Sequence, residues 1–125
     1  MKLRFLENVG IEGDVIRIWE RRYGPELLPV QEKAIQQYPL LQGNSLVVFA
    51  PTTSGKTFIA EMLALSSIRK GKRVFYLVPT KSLAEEKFAQ FQEAYRSLGL
   101  VTAISTHDHR EWDEAILKKG FDIAL

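Results

Sequence analysis

The segment Ala50-Pro51-Thr52-Thr53-Ser54-Gly55-Lys56-Thr57 follows directly on the apolar run Leu46-Val47-Val48-Phe49. An apolar, β-branched run feeding a tight turn and then a helical pattern builds a phosphate cradle. The main-chain N–H groups of the turn and of the helix N-terminus converge on one spot, and that spot favours an anion. On this reading Lys56 brings a fixed positive charge to the outer phosphates of a nucleotide, and the Thr57 hydroxyl ligates a magnesium ion shared with them. The bland alternative is a surface turn before a buried helix. Gly-Lys-Thr alone would be weak support for a cradle. The strand pattern before it, the apolar helix after it and the spacing from Ala50 to Gly55 favour the cradle.

A chain of 125 residues, 46% hydrophobic and 26% charged, reads as one soluble globular domain or a piece of one. The absence of cysteine excludes disulfides and thiolate zinc sites, and is consistent with a reducing compartment. A net charge of +2 is too small to argue by itself for a nucleic-acid partner. The first residues lack the sustained apolar stretch of a signal peptide, and no run approaches membrane-spanning length. The expected location is the cytoplasm, or the nucleus in a eukaryotic cell.

In chain order, Asp14 is placed to cap a helix with Val15, Ile18, Trp19 and Arg22 on one side, stopped by Tyr23-Gly24-Pro25. Trp19 and Tyr23 are a candidate aromatic face for adenine, with core packing the favoured reading. Pro29 suits the first turn of a helix that Pro39 ends, with Ala34, Ile35 and Tyr38 on its buried side. Gln31 on that helix carries both a donor and an acceptor, which matches the N6 and N7 edge of adenine. A first strand is expected from Leu46 to Phe49. The following helix, with Phe58, Ile59, Met62, Leu63, Leu65 and Ile68, is apolar on most sides, as for a helix packed on a sheet, and Arg69-Lys70-Gly71 ends it. Arg69, Lys70, Lys72 and Arg73 read as this capping plus a solvated loop.

Val74 to Val78 lacks alternation, so it is expected to be a strand buried on both faces. Pro79-Thr80-Lys81 lies at its carboxyl end. Ser82 and Glu85 form an expected capping box, and Ala84, Phe88, Phe91, Tyr95 and Leu98 line one face of a helix that Gly99 closes. Val101 to Ile104 is a third strand, Glu111 to Lys119 a helix, and Phe121 to Leu125 a fourth strand. Alternating strands and helices predict an α/β fold, a parallel sheet with helices on both faces. Ligands sit beyond the carboxyl ends of such strands, which puts the phosphate loop and Pro79-Thr80-Lys81 on one rim.

Three stretches together resemble the DExH helicases of superfamily 2, of the superkiller and archaeal repair type. Pro29-Val30-Gln31 is similar to the end of the glutamine motif, Ala50 to Thr57 to motif I with the family's alanine at its first position, and Pro79 to Lys87 to motif Ia. The resemblance runs from about Val15 to Leu125. It implies the amino-terminal RecA-like motor domain of a phosphate-loop NTPase, binding ATP and Mg2+ and gripping a DNA or RNA strand. Carried over position by position, Gln31 reads adenine; Ala50, Pro51, Thr52, Thr53, Ser54, Gly55, Lys56 and Thr57 hold the phosphates and magnesium, with Lys56 and Thr57 catalytic and Thr57 the metal ligand. Pro79, Thr80 and Lys81 touch the sugar-phosphate backbone, which positions a strand without reading its sequence.

Where the family commonly shows a Gly-Asp pair, this chain has His107-Asp108-His109. Two histidines at that spacing hint at a metal site, but with no cysteine and no third ligand in view the segment reads as a polar loop. Asp113-Glu114 mimics the family's Asp-Glu box yet falls inside a helix, so the box itself is expected beyond Leu125. The organisation expected is a helical approach segment, residues 1–27, followed by the front part of an incomplete motor domain, residues 28–125. In a complete protein a second RecA-like domain would close on ATP and the strand. Two competitors remain open, another phosphate-loop enzyme such as a small kinase and a non-catalytic nucleic-acid-binding or protein-binding module.

Overall fold

Helical periodicity organises the first half of the chain and ladder hydrogen bonds the second, and the chain divides into two units, Met1–Ser66 and Ser67–Leu125. The computed structural model describes residues 1–51 and 55–125.

In the first unit, a 3-10 helix (Leu3–Val9) precedes α1 (Gly13–Tyr23), α2 (Pro29–Gln36), a short 3-10 turn (Leu40–Gln42) and α3 (Lys56–Arg69), which runs on into the second unit. α1 starts two residues earlier than a cap at Asp14 implies. Glu12 is the N-cap, and Asp14 sits in the first turn with its Oδ1 accepting the Val15 N–H at 2.8 Å. A carboxylate there still opposes the positive end of the helix dipole. Gly24, at φ +87, ends the helix where the sequence pattern stops it. Trp19 is fully buried and meets Phe58 edge-on at 5.3 Å, while Tyr23 stacks on the same ring at 4.3 Å. Trp19 is therefore core packing between α1 and α3, whereas Tyr23 is 39% exposed and covers the same ring from its outer side. Tyr38, expected on the buried side of α2, is 49% exposed, because the helix ends at Gln36 and the turn carries the ring outward.

α3 is apolar on most sides, burying Phe58, Ile59, Met62, Ala64, Leu65 and Ile68. Glu61 is a fully buried carboxylate in that wall. Arg22 of α1 forms an ion pair with its Oε1, and the Tyr23 hydroxyl donates to Oε2 at 2.5 Å.

The expected strand Leu46–Phe49 does not form as one. It has no ladder partner among the described residues, and Val47 and Phe49 are 77% and 93% exposed. β-branched residues favour extended backbone, but a strand exists only where a neighbour satisfies its N–H and C=O groups. The segment instead lies beside α2, lining with Val30, Lys33, Ala34 and Tyr38 a cleft of about 320 Å³.

The second unit holds β1 (Val74–Phe75), α4 (Lys81–Ala94), a 3-10 turn (Arg96–Leu98), β2 (Thr102–Ala103), α5 (Asp113–Leu117) and β3 (Ile123–Ala124). The strands form a parallel sheet in the order β1-β3-β2, with Val74 and Thr102 both in register with Ile123. Main-chain bonds extend the ladder, among them Tyr76 N–H to Ala124 at 2.8 Å and Ser105 N–H to Leu125 at 2.8 Å. The α/β fold with a parallel sheet is thus the observed one. The first strand of the sheet departs from expectation on burial. Val74, Tyr76 and Val78 are half-buried, but Phe75 and Leu77 are 64% and 88% exposed. α4 covers only the Tyr76 side, where that ring meets Phe91 edge-on at 5.3 Å. Beside β2 and β3, Ala103, Phe121 and Ala124 form a small core against which Trp112 and Ile116 pack.

Candidate functional site

The N-terminus of α2 and the phosphate loop are joined through one side chain. Pro29 occupies the first position of α2, where its missing N–H costs nothing, and Gln31 occupies the third. The Gln31 Oε1 accepts the Leu28 N–H at 2.8 Å, as the far residue of a capping box does, and its Nε2 donates to the Gly55 carbonyl at 3.0 Å. The side chain is 4% exposed. Each end of the amide spends one bond here. A primary amide has two N–H groups and two carbonyl lone pairs, so these two bonds leave one donor and one acceptor unspent.

Gly55 is required at its position on two counts. Its φ is +86, and a Cβ there would fall 2.4 Å from Gln31 Nε2 and 2.9 Å from Leu28 Cδ1. Lys56, the first residue of α3, reaches back across the loop, its Nζ donating to the Ala50 carbonyl at 2.6 Å. Thr57 is exposed in the first turn of the helix, and Pro51 is exposed on the other arm of the loop. The structure therefore brings together Gln31, Ala50, Gly55 and Lys56. Thr52, Thr53 and Ser54, assigned to phosphate binding from the sequence, lie outside the described residues.

Pro79, Thr80 and Lys81 belong to the second unit and are all exposed. The helix cap is Thr80, not Ser82: its Oγ1 accepts the Leu83 N–H at 3.2 Å. A threonine in extended backbone just before the helix reaches that amide directly, so the cap lies two residues earlier than the Ser82/Glu85 box. Lys81 is paired with Asp108 from the loop after β2. One turn along α4, Glu85 meets His109 Nε2 at 2.9 Å, and the other ring nitrogen faces Glu111 at 3.3 Å. The His109 N–H also donates to Thr106 Oγ1 at 3.1 Å.

These contacts set the local titration. The hydrogen bond from Lys81 and its charge hold the Asp108 carboxyl below the usual range, and Asp108 in turn raises Lys81. Hydrogen bonds to Glu111 and then Glu85 raise His109 above the ordinary histidine value. Asp108 and His109 thus form a charged clasp on α4, where the sequence suggested only a polar loop. Sequence reasoning passed over one signal, that Asp108 and His109 are opposite in sign to Lys81 and Glu85, which stand one helical turn apart. Among the described residues no group of three or more acidic, histidine or cysteine side chains could hold a metal ion. Asp113 and Glu114 sit in α5, with Asp113 accepting from Ser105 Oγ at 2.8 Å and Glu114 paired to Lys118 at 2.6 Å, so they form a helix start and not a strand-end acidic box. Among the described residues no helix is long and apolar enough to cross a membrane.

The sequence profile of the DEAD/DEAH box helicases matches residues 28–125. The chain is 36% identical over 121 residues to the ATP-dependent DNA helicase Hel308 of Pyrococcus horikoshii, covering 96% of this chain and 16% of the relative. It is 41% identical over 104 residues to Hel308 of Methanocella arvoryzae, covering 80% of this chain and 14% of that protein. It is 47% identical over 77 residues to the chloroplastic DExH-box ATP-dependent RNA helicase DExH15 of Arabidopsis thaliana, covering 60% of this chain and 6% of that one. The chain thus spans 16% or less of the length of these curated relatives. Among solved structures it superposes on a hypothetical ATP-dependent RNA helicase from Sulfolobus tokodaii with a TM-score of 0.68 at 23% identity, over 91% of this chain and 33% of that one, a likeness of fold.

Proposed function

Because the chain belongs to the DEAD/DEAH box helicase family, we propose that it forms the ATP-binding and strand-gripping part of an ATP-dependent DNA or RNA helicase, in which ATP hydrolysis drives unwinding. Family membership favours this over the small-kinase reading. Residues 28–125 are the front of a RecA-like domain and residues 1–27 its helical lead-in; a second RecA-like domain is the partner that closes on the nucleotide.

The observation that carries the proposal is the Lys56 ammonium, held at 2.6 Å from the Ala50 carbonyl across the loop. A lysine so placed exchanges a carbonyl for a phosphate oxygen when ATP enters, with little side-chain reordering. The main chain from Ala50 through Pro51, Thr52, Thr53, Ser54 and Gly55 cradles the phosphates. Gln31 reads the adenine edge while bracing the loop through the Gly55 carbonyl at 3.0 Å. The exposed Thr57 hydroxyl is a hard oxygen donor that suits Mg2+. When bound, the ion supplies charge neutralisation on the outer phosphates. Pro79, Thr80 and Lys81 meet the sugar-phosphate backbone.

The test is Lys56→Ala in the complete protein, read by nucleic-acid-stimulated ATP hydrolysis and by ATP binding, with thermal unfolding as the folding control. Loss of both activities by about 100-fold or more is expected, as for removal of a charge stabiliser of transferred phosphate. Unchanged turnover in a folded variant overturns the assignment of the phosphate loop.

A further inference from the structure

Lys81 does not wait as a bare cation. Asp108, from the loop after β2, already holds it, and that loop is fastened a second time where His109 sits between Glu85 and Glu111. The carboxylate of Asp108 offers the ammonium what a phosphodiester would, anionic oxygens accepting charge-assisted hydrogen bonds. We propose that Asp108 is an intramolecular stand-in for a strand phosphate, occupying Lys81 until a nucleic-acid backbone displaces it. This rests on the reading of Lys81 as a strand contact.

The pair is well suited to displacement. Lys81 and Asp108 are 49% and 51% exposed, so water screens their attraction and little is lost on separating them. A tethered carboxylate nevertheless competes at high effective concentration, so a free nucleotide or a single inorganic phosphate gains little by arriving there. A strand presents several phosphates in a row and is held elsewhere at the same time, so it wins the exchange. Asp108 then acts as a specificity filter that favours polynucleotide over small anions. Displacement also frees one of the two fastenings of the loop, leaving His109 on Glu85 as the second. Strand binding is thereby felt at the carboxyl end of β2.

The experiment measures binding of labelled oligothymidylate and oligouridylate to the protein and to its Asp108→Asn, Lys81→Ala and double variants, at fixed salt. Removing any carboxylate slightly favours a polyanion, so Glu93→Gln, an exposed acid elsewhere on α4, serves as the charge control. Asp108→Asn is expected to tighten strand binding about two- to fivefold, the range of an exposed ion pair, and by more than Glu93→Gln. In the Lys81→Ala background the Asp108→Asn gain is expected to fall to that of the control. If Lys81→Ala weakens binding but Asp108→Asn matches the control in both backgrounds, the stand-in role is overturned and the strand contact survives. If Lys81→Ala leaves binding unchanged, the strand contact itself is lost and the stand-in with it.

Discussion

The contacts that brace the phosphate loop's helices and those at the start of α4 differ in kind. Glu61 on α3 and Gln31 on α2 are buried, at 0% and 4% exposure, and their bonds end on a guanidinium, a phenol or main chain. Around the start of α4 they are ion pairs with roughly half their surface in water, at 49% and 51% for Lys81 and Asp108 and 39% and 45% for His109 and Glu85. Burial makes the first kind costly to break, because the Glu61 carboxylate or the Gln31 amide stays desolvated when its partner is lost. Exposure makes the second kind weak, salt-sensitive and reversible. A loop that must keep one geometry suits the first kind of support, and a surface that must release and take up a strand suits the second.

The sharpest test of that contrast is Glu61→Ala. It strips a fully buried carboxylate from Arg22 and Tyr23 and leaves its volume empty in the wall of α3, and a loss of about 3–5 kcal/mol is expected. Lys81→Ala, at an exposed pair, should leave the unfolding transition almost in place. Urea unfolding of both variants measures the difference. Equal shifts would erase the distinction between the two regions.

Gly55→Ala comes next. The positive φ of +86 and the approach of Gln31 Nε2 to 2.4 Å of the added Cβ act together, and about 1–3 kcal/mol with a marked loss of ATP affinity is expected. Part of this is steric and part torsional. In a Gln31→Ala background the clash with Gln31 vanishes while the approach to Leu28 and the torsional part stay, so the penalty for Gly55→Ala should shrink without reaching zero. A double-mutant cycle by calorimetric unfolding reads the coupling. Full additivity would mean that Gln31 does not press on the loop.

How much of this was legible in the sequence follows the same divide. Local chemistry was readable: Pro29 opening α2, Gly24 and Gly71 ending helices, and the apolar wall of α3 all act within a turn or two of chain. The order β1-β3-β2 and the parallel pairing followed the alternation of elements only in class, since which strands become neighbours is a long-range matter. Leu46–Phe49 misled because its residues favour extended backbone whether or not a partner completes the ladder. Val74–Val78 misled because an unbroken apolar run records what a strand would tolerate on both faces, and here one face is open at Phe75 and Leu77. At the site, Gln31 and Lys56 were visible as residue types. Their bonds to the Gly55 and Ala50 carbonyls were not, because main-chain acceptors leave no mark in a residue pattern. The clasp of Asp108 and His109 on α4 spans 27 and 24 positions, beyond any local rule.

The smallest effect expected lies in that clasp, and its sign can be worked out. His109 is faced by Glu85 from α4 and Glu111 from its own loop, with Asp108 beside it and Lys81 engaged by Asp108. Both carboxylates favour the imidazolium, which donates from both ring nitrogens, whereas the neutral ring has one N–H to give. A raised folded-state value means that the clasp's stabilisation is fully present below the ordinary histidine value of 6.5 and is lost as pH rises through the folded value. The loop should therefore be held at mildly acid pH and loosen toward alkaline pH. Because the groups are exposed, global stability should hardly register the change. Nitrogen chemical shifts of the imidazole against pH give the direct reading: titration above the ordinary value, moved down by Glu85→Gln and by Glu111→Gln separately and furthest down by both. A wild-type ring that titrates at or below the ordinary value would mean that neither carboxylate holds it, and the loop would then rest on Lys81 and Asp108 alone.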